Sequence, residues 1–174
     1  RLLFNLSELV SGQPAIPVSV YRIGDLLIDS GSPHVSEALV AALSASETPP
    51  ERILLTHQHE DHIGGIRALR AKFGELPVYA PAAHAPLLTV GYTVPRYRAL
   101  CWGQPQPIRD VIPFAEGAVF EVGGVRLQAV ASPGHTPGHM AFLASQGSMH
   151  YALTGDLYTG AEPSVAWYES SAPC

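Results

Sequence analysis

Apolar and polar positions alternate in two different rhythms along this chain, and the change of rhythm divides it. In the front half, Val18 to Ile23 and Leu26 to Ile28 read as two short extended runs about Gly24, the second ending at Asp29-Ser30-Gly31. Ser32 then stands as an N-cap with Pro33 at the first helical position, and Ala38, Leu39, Ala42 and Leu43 supply a helical stripe up to Pro49-Pro50. Arg52 to Thr56 predicts a short strand that runs into His57 to His62 and then Gly64-Gly65. A second helix carries Ile66, Leu69, Ala71 and Phe73 and stops at Gly74, and Pro77 to Ala80 is the next strand.

From Pro81 to Pro113 the pattern weakens, supporting only a short helix near Ala82 to Leu88 and otherwise a loop suited to substrate contact. The period then becomes two. Ala118 to Val122 and Val125 to Ala131 flank Gly123-Gly124 as a hairpin, and Met140 to Ala144 and Met149 to Leu153 continue the strands across Ser145-Gln146-Gly147. No internal repeat interrupts this order.

Composition narrows the class. At 174 residues the chain suits one domain, residues 1–174, because a chain of about 150 residues buries roughly 70% of its unfolded surface. A hydrophobic fraction of 47% with 14% charged residues is too apolar for a disordered chain, and no apolar run is long enough to span a membrane. The net charge of -5 and the scattered Lys and Arg lend no support to nucleic-acid binding. Two distant cysteines, Cys101 and Cys174, point to a reducing, cytoplasmic setting. A start at Arg1 and an abrupt stop over Trp167 to Cys174 read as a fragment at both ends.

The strongest chemical signal is Thr56-His57-Gln58-His59-Glu60-Asp61-His62, three imidazoles and a carboxylate on a loop leaving a buried strand. Zinc takes imidazole nitrogen and carboxylate oxygen readily, and three or four protein ligands with one open position mark a catalytic site. His34 and His84 read as surface or packing residues, Arg96-Tyr97-Arg98 as a solvated loop, and Cys101 as a small buried apolar group. Asp29 and Thr56 are candidates for orienting the imidazoles, with turn and strand-end chemistry as the rival account. His139 reads as a hydrogen-bonded partner of the His135 loop.

The His57 to His62 segment resembles the H-x-H-x-D-H motif of the metallo-β-lactamase superfamily, and three more segments agree in family order. Leu27-Ile28-Asp29-Ser30-Gly31 resembles the strand end before the first helix, Pro133 to His139 the third-histidine loop, and Thr154-Gly155-Asp156 the bridging-aspartate segment. The resemblance implies an α/β (α+β) architecture, the αββα four-layer sandwich, cut short at its C-terminal end and incomplete at its N-terminal end. It further implies that His57, His59 and His135 bind one metal, that Asp61 and His62 bind a second, and that Asp156 bridges them. Two zinc ions are expected, with iron or manganese as substitutes. A further histidine completes the second site in relatives, and none follows His150 here.

The mechanism implied is hydrolysis by a metal-bound hydroxide, since two divalent ions roughly 3.5–4 Å apart can bring a water pKa from 15.7 towards about 7. Asp61 and His62 would then be catalytic as well as metal ligands. The run of motifs most resembles the branch containing hydroxyacylglutathione hydrolases, which implies a small-molecule ester or thioester substrate. The β-lactamase type with cysteine in its second site is disfavoured, because no cysteine lies near Asp156. A phosphodiester-cleaving nuclease of the same fold and a metal-binding but inactive fragment are the alternatives. An incomplete sheet would also expose apolar surface and favour a homo-oligomer.

Overall fold

A computed structural model describes residues 18–157 throughout and, outside them, the backbone of 3–6, 9–10, 13–14, 158–159 and 162–163. The first strands are β1 (Leu3–Leu6), β2 (Leu9–Val10), β3 (Gln13–Pro14), β4 (Val18–Ile23) and β5 (Leu26–Ile28). After β5 a 3₁₀ turn, Pro33–Val35, leads into α1 (Ser36–Ser44), followed by β6 (Arg52–Leu54), α2 (Glu60–Ile63), α3 (Ile66–Phe73) and β7 (Val78–Pro81). Next come α4 (Ala85–Val90), α5 (Arg96–Trp102), β8 (Val111–Phe114), β9 (Val119–Val122), β10 (Val125–Ala131), β11 (Met140–Gln146) and β12 (Met149–Leu153). A second 3₁₀ turn, Gly155–Leu157, precedes β13 (Tyr158–Thr159) and β14 (Glu162–Pro163).

Six strands form a mixed sheet in the order β1-β4-β5-β6-β7-β8, parallel from β5 to β8, and four form an antiparallel sheet in the order β12-β11-β10-β9. The reason lies in the side-chain alternation of the central strands. Leu27, Ile53 and Leu55 turn to one face and pack with Leu39 and Leu43 of α1 and Ile66 and Leu69 of α3. Leu26, Ile28 and Leu54 turn to the other and pack with Leu127, Ala129 and Phe142 of the second sheet. A parallel strand covered on both faces carries continuous apolar residues, and Leu26-Leu27-Ile28 is buried at every position. Each such side chain contributes roughly 1.5–3 kcal/mol relative to exposure.

The architecture is therefore α+β, with a layer of helices, the mixed sheet and then the antiparallel sheet. Among the described residues no helix covers the outer face of the second sheet, where Leu143 stays 50% exposed. The hairpin over Gly123-Gly124 keeps the expected register, Val125 opposite Val122.

Three expectations need correction. Ser32 makes no side-chain cap, and the α-helix begins only at Ser36, after Pro33 to Val35 have taken the tighter 3₁₀ turn. The short helix runs over Ala85–Val90 instead of 82–88, because Pro81 belongs to β7 and its carbonyl closes a turn to the His84 N–H. The stretch read as loop contains α5 and β8, and Arg98 on α5 is buried, not solvated. A seven-residue helix whose buried position is an arginine, followed by a strand containing Pro113, offers no apolar period to read. Cys101 is half-buried with a free thiol, and Cys174 lies outside the described residues.

Candidate metal centre

Four chain segments meet where the carboxyl ends of β5 and β6 approach the β10–β11 loop and the end of β12. Ligands gather at the carboxyl ends of strands in open α/β sheets, because the chain leaves the sheet there and the loops are free to carry chemistry. Here the β11 start is tied to the β6 end, Met140 N–H donating to Thr56 O at 3.0 Å. That bond holds the edges of the two sheets together at the site.

Asp29 organises the β6 side. It adopts φ 60°, a left-handed conformation that an aspartate tolerates better than most residues. Its carboxylate accepts from Thr56 N–H at 2.8 Å, from the Thr56 hydroxyl at 2.8 Å and from His62 Nδ1–H at 2.8 Å. The Thr56 hydroxyl spends its single proton on Asp29, so the 2.9 Å contact with His57 Nδ1 makes the imidazole the donor. That leaves Nε2 of both His57 and His62 facing the site. The 56–62 loop lies close against the β5 end: a Cβ on Gly65 would fall 2.2 Å from Ser30 O, so only glycine fits.

Three ring nitrogens converge. His57 Nε2 and His135 Nε2 each lie 3.0 Å from His59 Nδ1. The edge of a tetrahedron with metal–nitrogen bonds of 2.0–2.1 Å is about 3.3 Å, so these two separations are of the size that zinc ligation needs, and all three nitrogens lie within 4.8 Å of one another. All three rings are buried, and burial is the main cause that holds each below the ordinary imidazole range. Neighbouring charges add to this at His57, chiefly His62, and at His59, chiefly Arg98, which brings His59 to about 2. Neutral imidazoles are the form that binds a metal.

A second group stands beside the first. Asp156 presents Oδ1 at 3.0 Å from His62 Nε2 and Oδ2 at 3.4 Å from His135 Nε2, so its two oxygens reach both groups. Despite that approach His62 Nε2 is buried without a hydrogen bond. Burial pulls His62 down, but Asp156, Asp29 and Asp61 outweigh it and hold the ring well above its usual range. Burial likewise opposes ionisation of Asp156, and the imidazoles, His62 first, more than reverse this. The carboxylates thus favour positive charge at this point. Asp61 stands at the rim, with Oδ2 3.9 Å from His62 Nε2, outside hydrogen-bond range.

Both sets suit a divalent cation: His57, His59 and His135 in one, His57, His62 and Asp156 in the other. His139 belongs to neither. Its Nε2 accepts from Asp156 N–H at 3.3 Å and its Nδ1–H donates to Ser132 Oγ at 2.8 Å, so it holds the Asp156 backbone in place as a hydrogen-bonded partner. His150 is exposed on β12, and His34 is exposed at the first turn. His84 packs in the interior, 3.5 Å from Thr136 Oγ1. Sequence reading missed three residues around the motif. Glu60 is buried against Arg98, and Tyr92 donates to Gln58 O. A carboxylate between two buried histidines was the available signal for the first, whereas Arg98 and Tyr92 lie in the stretch without periodicity.

The chain is similar to known proteins over most of its length. A family profile described as the Metallo-beta-lactamase superfamily matches residues 14–167. A hydroxyacylglutathione hydrolase of Yersinia enterocolitica is 34% identical over 131 residues, which cover 75% of this chain and 41% of that protein. A metallo-β-lactamase of Cronobacter sakazakii with a HARLDQ motif superposes with a TM-score of 0.66 at 26% identity, over 85% of this chain and 59% of that one. The Rm3 metallo-β-lactamase does so with a TM-score of 0.63 at 28% identity, over 80% and 55%. The chain thus spans between 41% and 59% of the length of these relatives. The histidine loop at the end of β6, the third histidine between β10 and β11, the aspartate beyond β12 and the profile match over most of the chain together make it a member of the metallo-β-lactamase superfamily.

Proposed function

We propose that this chain carries the metal centre of a hydrolase, with two zinc ions in the complete site and iron or manganese able to replace them. His57, His59 and His135 would hold the first ion. His57 Nε2 has one lone pair, so its place in that trio leaves His62 and Asp156, with Asp61 from the rim, for the second, and Asp156 spans both through its two oxygens. The observation that carries the reading is the convergence of three buried ring nitrogens, two of them 3.0 Å from the third, with His57 and His62 already committed, by their other nitrogens, to Thr56 and Asp29. Bound divalent metal supplies acidity to a water and polarises the oxygen of the bond to be cleaved.

The chain's own residues supply the orientation. Asp29 fixes the orientation of the His62 ring directly and that of His57 through Thr56, so Nε2 of each ring faces the site without rearrangement. His139 holds the Asp156 backbone, and thereby the carboxylate, at the junction of the two groups. Asp61, at the rim, and His62 are the residues closest in kind to a proton-handling role, with burial raising the Asp61 pKa.

An ester or thioester is the substrate class we favour, supported by the 34% identity to a hydroxyacylglutathione hydrolase. No described helix is long and apolar enough to cross a membrane. A small-molecule substrate and a cytoplasmic setting belong to the same reading. The test is metal content per chain by elemental analysis after purification without added metal, in the wild type and in His57→Ala and Asp156→Ala. Two ions in the wild type, with loss in both variants, are expected. Hydrolysis of a model thioester without cleavage of a phosphodiester probe then supports the acyl reading, and the reverse pattern replaces it with a nuclease. A chain that binds zinc but turns over neither is an inactive fragment, and one that binds no metal overturns the reading.

A further inference from the structure

Between the site histidines the motif places Gln58 and Glu60, and both are gripped from one direction. The segment 92–104 closes on itself, Val94 N–H donating to Gln104 Oε1 at 3.0 Å and Gln104 Nε2–H donating to Val94 O at 3.1 Å. It is pinned at its far end by His34 Nε2–H donating to Cys101 O at 2.7 Å. From this arm Tyr92 donates its hydroxyl to Gln58 O, and Arg98 donates to Glu60 Oε2 through Nε at 3.1 Å and Nη2 at 2.5 Å. Arg98 and Glu60 are only 6% and 1% exposed, so this ion pair is desolvated and sensitive to loss of either partner.

Glu60 is the first residue of α2, with His59 as its N-cap and Asp61 and His62 following. Both His62 N–H and Ile63 N–H bond to His59 O, which makes the turn one short rigid unit. Fixing the Glu60 side chain therefore fixes the turn that carries three of the site's side chains.

We propose that Arg98 is a positioning residue for the metal centre: the 92–104 arm, through Arg98 on Glu60 and Tyr92 on Gln58, sets the path of the histidine loop and hence the placement of His59 and Asp61. This rests on the metal reading above. Without Arg98 the Glu60 carboxylate is buried beside the site with its counter-charge gone, and the α2 turn must move to hydrate it or take up a proton. The metal geometry then changes although no ligand has been touched.

The experiment uses Arg98→Met, Arg98→Lys and the double variant Glu60→Gln with Arg98→Met, measured well below their unfolding temperatures. Zinc affinity is read by chelator competition, and ligand geometry by the visible absorption of the cobalt-substituted protein. Arg98→Met is expected to weaken zinc binding by about 10–100-fold, as loss of a group that supports metal ligands does, and to alter the cobalt spectrum. Arg98→Lys keeps the charge without the fork and should fall between, while the double variant removes the orphaned carboxylate and should recover most of the affinity. Arg98→Met with lowered thermal stability but unchanged zinc affinity and cobalt spectrum overturns the positioning role and leaves the metal reading intact. A wild-type chain that takes up neither ion overturns both.

Discussion

The carboxylate of Asp29 lies 2.8 Å from Nδ1 of His62, although 33 residues separate them in the chain, and the same carboxylate takes both the amide and the hydroxyl of Thr56. One side chain at the end of β5 thereby sets two of the imidazoles. It does so from a left-handed backbone, φ 60°, a conformation of the kind that persists only where surrounding bonds over-determine it.

Asp29→Asn isolates this role, because asparagine tolerates the same backbone but carries two donors where two acceptor positions are needed. Zinc affinity is expected to fall about 10–100-fold. Unpaired buried donors should also cost the metal-free protein about 1–3 kcal/mol. Chelator competition and urea unfolding measure the two effects separately, and wild-type values in both would remove Asp29 from the account.

Gly155 combines φ 51° with close packing: a Cβ there would lie 2.7 Å from His139 Nε2 and 3.0 Å from Thr56 Oγ1. Gly147 has φ 58° with nothing within 4 Å, so it carries the backbone penalty alone. Gly147→Ala should cost about 1–2 kcal/mol, and Gly155→Ala about 1–3 kcal/mol more. Only the second should also lose metal, since the displaced turn carries Asp156. Equal losses in urea unfolding and metal content would show that the contact with His139 is unimportant.

Chelation provides a direct thermodynamic test. A ligand that binds only the folded chain stabilises it by about 2.7 kcal/mol at a hundred times its Kd, so removing zinc should lower Tm by roughly 5–10 °C for a chain of this size. Re-addition of zinc should restore Tm in the wild type and leave His57→Ala unmoved. Differential scanning calorimetry with and without a chelator reads both.

His84 supplies a pH dependence outside the metal groups. Burial alone holds its pKa down at about 4 against an ordinary 6.5, and its Nδ1 has no hydrogen-bond partner. The neutral ring is the folded form, so its contribution is complete above about pH 6.5 and is lost as pH falls from there through 4. In metal-free protein the wild type should lose roughly 2–3 kcal/mol more than His84→Asn between pH 7.5 and 4. Urea midpoints that run parallel for the two proteins across this range would contradict the assignment.

The residue order by itself determined most local elements outside residues 81–113 and grouped the histidines of the motif. Leu26 to Ile28, Arg52 to Thr56 and the hairpin at Gly123-Gly124 were legible because burial on one or both faces writes a pattern of period two or an unbroken apolar run. His57, His59, Asp61 and His62 were legible because they are adjacent in the chain, and adjacency survives without a fold. His135 and Asp156, more than 70 residues further on, were legible only through family resemblance, since nothing local announces a side chain that joins a distant cluster.

Tertiary structure alone decided the rest. Which histidine nitrogen faces the site depends on what the other nitrogen bonds to, and the partners of His57 and His62 trace to Asp29 across the sheet. The placing of Asp61 at the rim, and the burial of Arg98 against Glu60, likewise depend on how α2 and α5 pack. An arginine in a stretch of prolines and tyrosines looks solvated until a carboxylate 38 residues earlier is brought within 2.5 Å of it. Charge pairing over that separation has no period and no propensity, so it enters only with the fold.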